Sequence, residues 1–196
     1  MTQIKSIAVF CGASSGHHPV YTEAAQALGT LFAQQEIRLV YGGGKVGLMG
    51  VIADAVLAGG GQVLGVIPQS LKDLEVAHAG LTELRVVQTM HERKALMAAE
   101  SDAFVAMPGG FGTFDELCEI LTWNQLKIIQ KPAALFNPNG YFNPLLHMFD
   151  HCVTEGFLKA EQRNNLIVED QPEKLLDQLL HHAPVITEKW VDFKRI

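Results

Sequence analysis

The densest chemistry in this chain lies in nine consecutive residues, Pro108-Gly-Gly-Phe-Gly-Thr-Phe-Asp-Glu116. They follow the apolar run Ala103–Met107 and precede a helical pattern through Leu117, Ile120, Leu121 and Asn124, so they read as the turn between a buried strand and a helix. Gly109, Gly110 and Gly112 let the backbone approach a ligand closely, and the free N–H groups of the next helix's first turn favour an anion. A phosphate fits there. Glu116 would compete with it for the same positive end unless the two point to different places. The pattern therefore describes a phosphorylated ligand whose neutral part lies over Glu116. A second reading is purely local. Thr113 and Glu116 spell Thr-x-x-Glu, a capping box in which both side chains merely satisfy backbone N–H groups, and the local sequence admits both.

Met90-His-Glu-Arg-Lys94 opens another helix and sets two cations side by side. Such a pair is ordinarily a solvated face. Here it begins a helix just after a strand, at the edge that carries the glycine turns, so the planar fork of Arg93 has reach to a ligand. His91 reads as a helix-start or packing residue. Gly42-Gly-Gly-Lys-Val-Gly47 matches G-x-G-x-x-G, but the acid expected about twenty residues on to hold a ribose is replaced by Val66-Ile67-Pro68-Gln69. The turn also follows the second strand rather than the first, which favours close backbone approach to a smaller nucleotide over a dinucleotide. No Walker A motif occurs. His147 and His151 share a helical spacing but lack a third ligand, so no metal is expected, and no nucleophile elbow appears.

The elements that must position these residues alternate along the chain. Strands are expected at Ile4–Phe10, Ile37–Tyr41, Val63–Ile67, Leu84–Val87, Ala103–Met107, Ala133–Phe136 and Leu166–Val168. Helices are expected through Ala24–Phe32, Leu48–Ala58, Met90–Glu100, Thr113–Lys127, Phe142–Val153, Ala160–Arg163 and Pro172–Leu180, with Met90, Leu96 and Met97 facing inward in the third of these. Gln69–Thr82 reads as a short helix and a loop beside the ligand. Most strands are continuous apolar runs, which predicts a parallel sheet covered on both faces. The fold class is α/β, a doubly wound Rossmann-like sheet flanked by helices, in one domain over residues 1–196. Ligands of such sheets bind at the carboxyl edge of the strands. Three glycine-bearing turns arrive there and bring Ser14, Gly43, Gly44 and Gly109 to one pocket. Residues 183–196 lack a strong period and read as a tail packed on the domain or on a partner.

Composition narrows the partners. With 48% hydrophobic and 18% charged residues and a net charge of −6, the chain has no electrostatic reason to bind nucleic acid or an anionic membrane. Neither a signal-peptide core nor a run approaching ~20 apolar residues is present, which predicts a soluble protein. Cys11, Cys118 and Cys152 form no C-x-x-C and are odd in number, which argues against disulfides and zinc and for a reducing cytoplasm.

Taken together, these motifs resemble the Lonely guy family of cytokinin-activating phosphoribohydrolases, long labelled possible lysine decarboxylases. The marks are Pro108–Glu116, matching P-G-G-x-G-T-x-x-E, with Met90–Lys94 upstream, Tyr41-Gly-Gly-Gly44 followed by Gly47-Leu-Met-Gly50, and Cys11-Gly-Ala-Ser14. The similarity runs from Ile4 to Leu180. It implies hydrolysis of the N-glycosidic bond of a nucleoside 5′-monophosphate to free base and ribose 5-phosphate, without metal or organic cofactor, by a homodimer. Arg93 and Glu116 become the catalytic pair, and Lys94, Gly110, Phe111, Gly112, Thr113 and Thr122 line the nucleotide site. Glu75 falls where the family has a further substrate-contacting acid, in a segment that matches loosely. Asp115 stands where many members have Glu, and Phe111 where many have Tyr. Glycosidic cleavage passes through an oxocarbenium-like state that a carboxylate stabilises, which suits Glu116. Arg93 could hold the phosphate, fix the Glu116 carboxylate or assist the departing base. Nothing announces the lysine on which a decarboxylase would carry pyridoxal phosphate. A non-catalytic nucleotide-binding protein of the same fold is the competing reading.

Overall fold

The computed structural model describes residues 4–72 and 77–182. The chain enters through β1 (Ser6–Phe10), whose five residues are all buried, so both faces of the strand are covered. From there it winds outward through α1 (Pro19–Gln34), β2 (Arg38–Tyr41), α2 (Gly47–Ala58), β3 (Val63–Pro68), the single turn α3 (Gln69–Lys72) and β4 (Glu83–Val87). It returns past β1 by way of α4 (Met90–Ala99) to β5 (Ala103–Ala106), then α5 (Phe111–Gln125), β6 (Ala133–Phe136), α6 (Asn143–Thr154), α7 (Ala160–Asn164), β7 (Leu166–Glu169) and α8 (Pro172–His181). The strand order is β4-β3-β2-β1-β5-β6-β7 and every pairing is parallel. The order reverses between β1 and β5, so a crevice opens at the carboxyl ends of those two strands. The doubly wound α/β expectation holds.

The two faces follow from side-chain alternation along each strand. Ile7, Val9, Leu39, Tyr41, Val105 and Phe136 turn to one face and pack on α1, α2 and α8. Ala8, Phe10, Val40, Leu64, Val66 and Phe104 turn to the other, where Met97 and Ala98 of α4 and Ile120 of α5 meet them. This second face carries the functional elements, because α4 and α5 both begin at the crevice.

Several expectations shift. Helix α5 starts at Phe111, with Gly110 as its cap and no side-chain capping bond, so Thr113 lies inside the helix and is 3% exposed. The capping-box reading of Thr113 and Glu116 is thereby excluded. Reciprocal capping occurs instead at α4, where Thr89 Oγ1 accepts from the Glu92 N–H (3.1 Å) and a Glu92 carboxylate oxygen accepts from the Gln88 N–H (2.8 Å). Met90 is not core. It is 40% exposed, and the inward position on that turn belongs to Arg93. The central helix ends at Gln125 because Lys127 takes φ +60°, a left-handed conformation that stops the helix. The expected tail, 183–196, lies outside the described residues.

Candidate active site

Arg93 is the most constrained side chain at the crevice. It is 8% exposed, its Nε donates to the Val66 carbonyl at the end of β3 (3.1 Å), and Nη2 donates to the Gly42 carbonyl after β2 (3.3 Å). Nη1 lies 3.8 Å from the Met90 sulfur. Gly42 is obligatory for this arrangement, since a Cβ there would fall 1.9 Å from Nη2. Carbonyls orient the guanidinium without neutralising it. Among the described residues no carboxylate stands within ion-pair distance of Arg93, so a full positive charge with uncommitted N–H donors is held rigidly at the crevice.

The glycine turn after β5 divides into a structural half and an open half. The Pro108 carbonyl accepts from Gly12 N–H (3.0 Å) and the Gly109 carbonyl from the Tyr141 hydroxyl (2.5 Å). A Cβ on Gly109 would meet Thr113 Oγ1 at 2.1 Å and Gly12 N at 2.8 Å, so Gly109 and Thr113 are packed against the β1 turn. Gly110 and Gly112 have open space where a Cβ would go, and Phe111 is 93% exposed. The backbone of Gly110–Gly112 is thus accessible at the positive end of α5.

Glu116 lies one turn further along α5, half-buried, and its carboxylate accepts no hydrogen bond from any described residue. Burial is the largest influence on its carboxyl, which is pushed up to about 7; Arg93 opposes the shift, Asp115 adds to it, Lys94 opposes it and Glu119 adds to it. Lys94 is engaged with other groups. Its Nζ lies 3.1 Å from Asp115 Oδ2 and 3.1 Å from Glu119 Oε1. Burial works against its charge, but these two hydrogen bonds outweigh that and raise its pKa. The neighbouring cations of α4 therefore differ sharply, Arg93 without a carboxylate and Lys94 with two.

The remaining turns close around this centre. Ser14 is exposed, with its hydroxyl accepting from Gly16 N–H (3.3 Å), and the β1 turn is tied to α2 by the bond from Leu48 N–H to the Gly12 carbonyl (3.0 Å). Gly43 takes φ +79° and its carbonyl accepts from His78 N–H (3.0 Å), while Gly44 bridges to Ala77. The His78 ring sets Nε2 2.8 Å from Asp54 Oδ1 and accepts the Gly80 N–H at Nδ1 (3.1 Å), which pins this loop to α2. Glu75 lies outside the described residues. Thr122 is set apart, about 9 Å along α5 from Glu116 at 1.5 Å per residue. Its hydroxyl donates to the Cys118 carbonyl (2.7 Å), and it lines an apolar groove of about 290 Å³ with Cys118, Leu121, Phe149, Phe157 and Leu166.

Sequence reasoning missed Tyr141, His78 and Asp54. Tyr141 reaches Gly109 from 32 positions away and follows no motif, and the His78–Asp54 pair is 24 positions apart with β3 and α3 between, so no spacing signalled either. Burial pushes the Cys11 thiol up, with a smaller contribution from Glu116, which makes it an inert small hydrophobe. Among the described residues no cluster of His, Cys, Asp or Glu is placed to hold a metal ion, and no helix is long and apolar enough to cross a membrane.

A family model described as possible lysine decarboxylase matches residues 49–179. A cytokinin riboside 5′-monophosphate phosphoribohydrolase of Rhodococcoides fascians is 50% identical over 84% of this chain and 83% of its own length. The Arabidopsis thaliana enzyme of that name, LOG7, is 46% identical over 95% and 86%. The chain belongs to the Lonely guy family. Its fold recurs in solved structures of far lower identity, among them the molybdenum cofactor binding protein of Rippkaea orientalis, with a TM-score of 0.68 at 21% identity over 90% of this chain and 96% of that one. At that identity the likeness extends to the fold alone. Both Lonely guy relatives share the greater part of the chain.

Proposed function

We propose that this protein hydrolyses the N-glycosidic bond of cytokinin riboside 5′-monophosphates, and of AMP, to free base and ribose 5-phosphate. The observation that carries the reading is the pairing of a rigid, uncompensated Arg93 with a half-buried Glu116 whose carboxyl titrates at about 7, beside the open backbone of Gly110–Gly112. The 5′-phosphate binds the N–H groups at the start of α5. The sugar lies over Glu116. As the C1′–N bond breaks, positive charge develops on the ring, and the ionised carboxylate stabilises it and takes a proton from the attacking water. A group titrating near the working pH is well matched to that proton transfer. The water oxygen ends on C1′, and the departing base gains a proton. Arg93 acts by holding the ionised form of Glu116 in place and drawing the phosphate towards it.

Phe111, Ser14, Gly43 and Gly44 complete the nucleotide site in this reading, Gly109 and Thr113 serve it by holding the turn in shape, and Glu75 and Thr122 are assigned to it by motif match. The protein acts as a homodimer in the cytoplasm. Support for the dimer comes from the apolar groove beside α5 and the exposed Leu126, Ile128 and Phe157, a patch that a second copy would cover. The test is chromatographic detection of free base when pure protein is incubated with AMP or isopentenyladenosine monophosphate. Release of adenine or isopentenyladenine is expected. Tight binding of both nucleotides without any release would overturn the hydrolase reading in favour of a nucleotide sensor.

A further inference from the structure

Lys94 sits next to Arg93 on α4, yet its surroundings are the reverse. Asp115 and Glu119 stand four residues apart on one face of α5 and clasp its ammonium at 3.1 Å each, tying α4 to α5 at the mouth of the crevice. Only 14% of the Lys94 side chain is exposed. The two acids flank Glu116 in the chain, one residue before it and three after it. The charged and titratable groups around Glu116 are thus Arg93 and Lys94 from α4, Asp115 and Glu119 from α5, and the Cys11 thiol at the end of β1. With Glu116 protonated, two cations face two carboxylates and the cluster is balanced. Ionising Glu116 leaves one negative charge in excess.

We propose that Asp115 and Glu119, acting through their clasp on Lys94, set the pH at which Glu116 becomes active, and that Lys94 is a positioning residue for this cluster. The inference rests on the reading of Glu116 as the group acting at the glycosidic carbon. A like charge near a carboxylate disfavours its ionised form and a cation favours it, so the substitutions have opposite signs. Glu119→Gln removes a like charge and leaves Lys94 freer to support Glu116. Lys94→Met removes the cation and leaves Asp115 and Glu119 unpaired.

The test is the pH dependence of kcat/KM for base release from AMP in wild type, Glu119→Gln and Lys94→Met, with the Glu116 carboxyl of each protein also titrated by carbon-13 NMR. The acid limb of Glu119→Gln is expected to move to lower pH by about half a pH unit or more, and that of Lys94→Met to higher pH, with the NMR midpoints moving alike. Unmoved midpoints with a large rise in KM for Lys94→Met would make Lys94 a phosphate ligand and overturn the proposal. Uniform losses of rate at every pH would overturn it in favour of a purely structural clasp. Absence of turnover in wild type would sink the hydrolase reading alone, because the NMR midpoints still report whether the clasp controls Glu116.

Discussion

Glu116 carries its own stability signature. Its ordinary pKa of 4.5 is raised to about 7 by burial, so the folded protein holds a proton that the unfolded chain gives up. The stability this confers is complete below pH 4.5 and is lost as pH rises through 7, a difference of roughly 3 kcal/mol at 1.36 kcal/mol per pH unit. Glu116→Gln should therefore unfold at a higher urea concentration than wild type at pH 8 and at nearly the same concentration at pH 4.5, in equilibrium denaturation. Gly42 acts at the same scale through sterics. Gly42→Ala would place a Cβ 1.9 Å from Arg93 Nη2, so the buried guanidinium must shift and give up its bond to the Gly42 carbonyl, at a cost to the fold of about 1–3 kcal/mol. Misplacement of about 1 Å at a reacting centre costs on the order of 10²-fold, and steady-state kinetics on AMP should show that loss in kcat/KM.

At the scale of elements, the turn after β5 separates packing from binding. Gly109→Ala drives a Cβ into Thr113 and the Gly12 backbone and should destabilise by about 1–3 kcal/mol. Gly112→Ala meets nothing and, inside a helix, should be neutral or stabilising by up to about 1 kcal/mol, yet it should weaken ribose 5-phosphate binding in calorimetry by intruding on the anion. The same turn shows what was legible in the sequence. Strand, glycine turn and helix were readable because Ala103–Met107 is apolar throughout, Gly109 and Gly110 break it off, and a helical apolar pattern follows from Leu117. The choice between anion site and capping box was not, because it turned on where α5 begins. A start at Phe111 puts Thr113 in the helix interior, and that is decided by its packing against Gly109. The roles of Arg93 and Lys94 were likewise unreadable, since adjacent cations look alike until Val66, Gly42, Asp115 and Glu119 are brought to them across the fold.

For the whole molecule, the strand order brings three turns and two helix starts to one crevice, and the alternating apolar runs were sufficient to anticipate that. The surface beside it was less apparent. Leu126 and Ile128 lie in the turn after α5 and Phe157 follows α6, all 60–77% exposed; Lys127 and Phe157 line one groove, so the patch depends on how α5 and α6 pack. Replacing Ile128 and Phe157 together by Asp should yield a monomer by sedimentation, with little change in the unfolding of the single chain, because neither side chain is buried. The central claim concerns chemistry at Glu116, and one comparison tests it most directly: base release from AMP and isopentenyladenosine monophosphate by wild type and Glu116→Gln, with ribose 5-phosphate affinity measured on both. Release by wild type, loss of at least about 10²-fold in the variant and unchanged affinity are expected. A Glu116→Gln protein that binds and hydrolyses as well as wild type would contradict the assignment of Glu116 as the catalytic carboxylate.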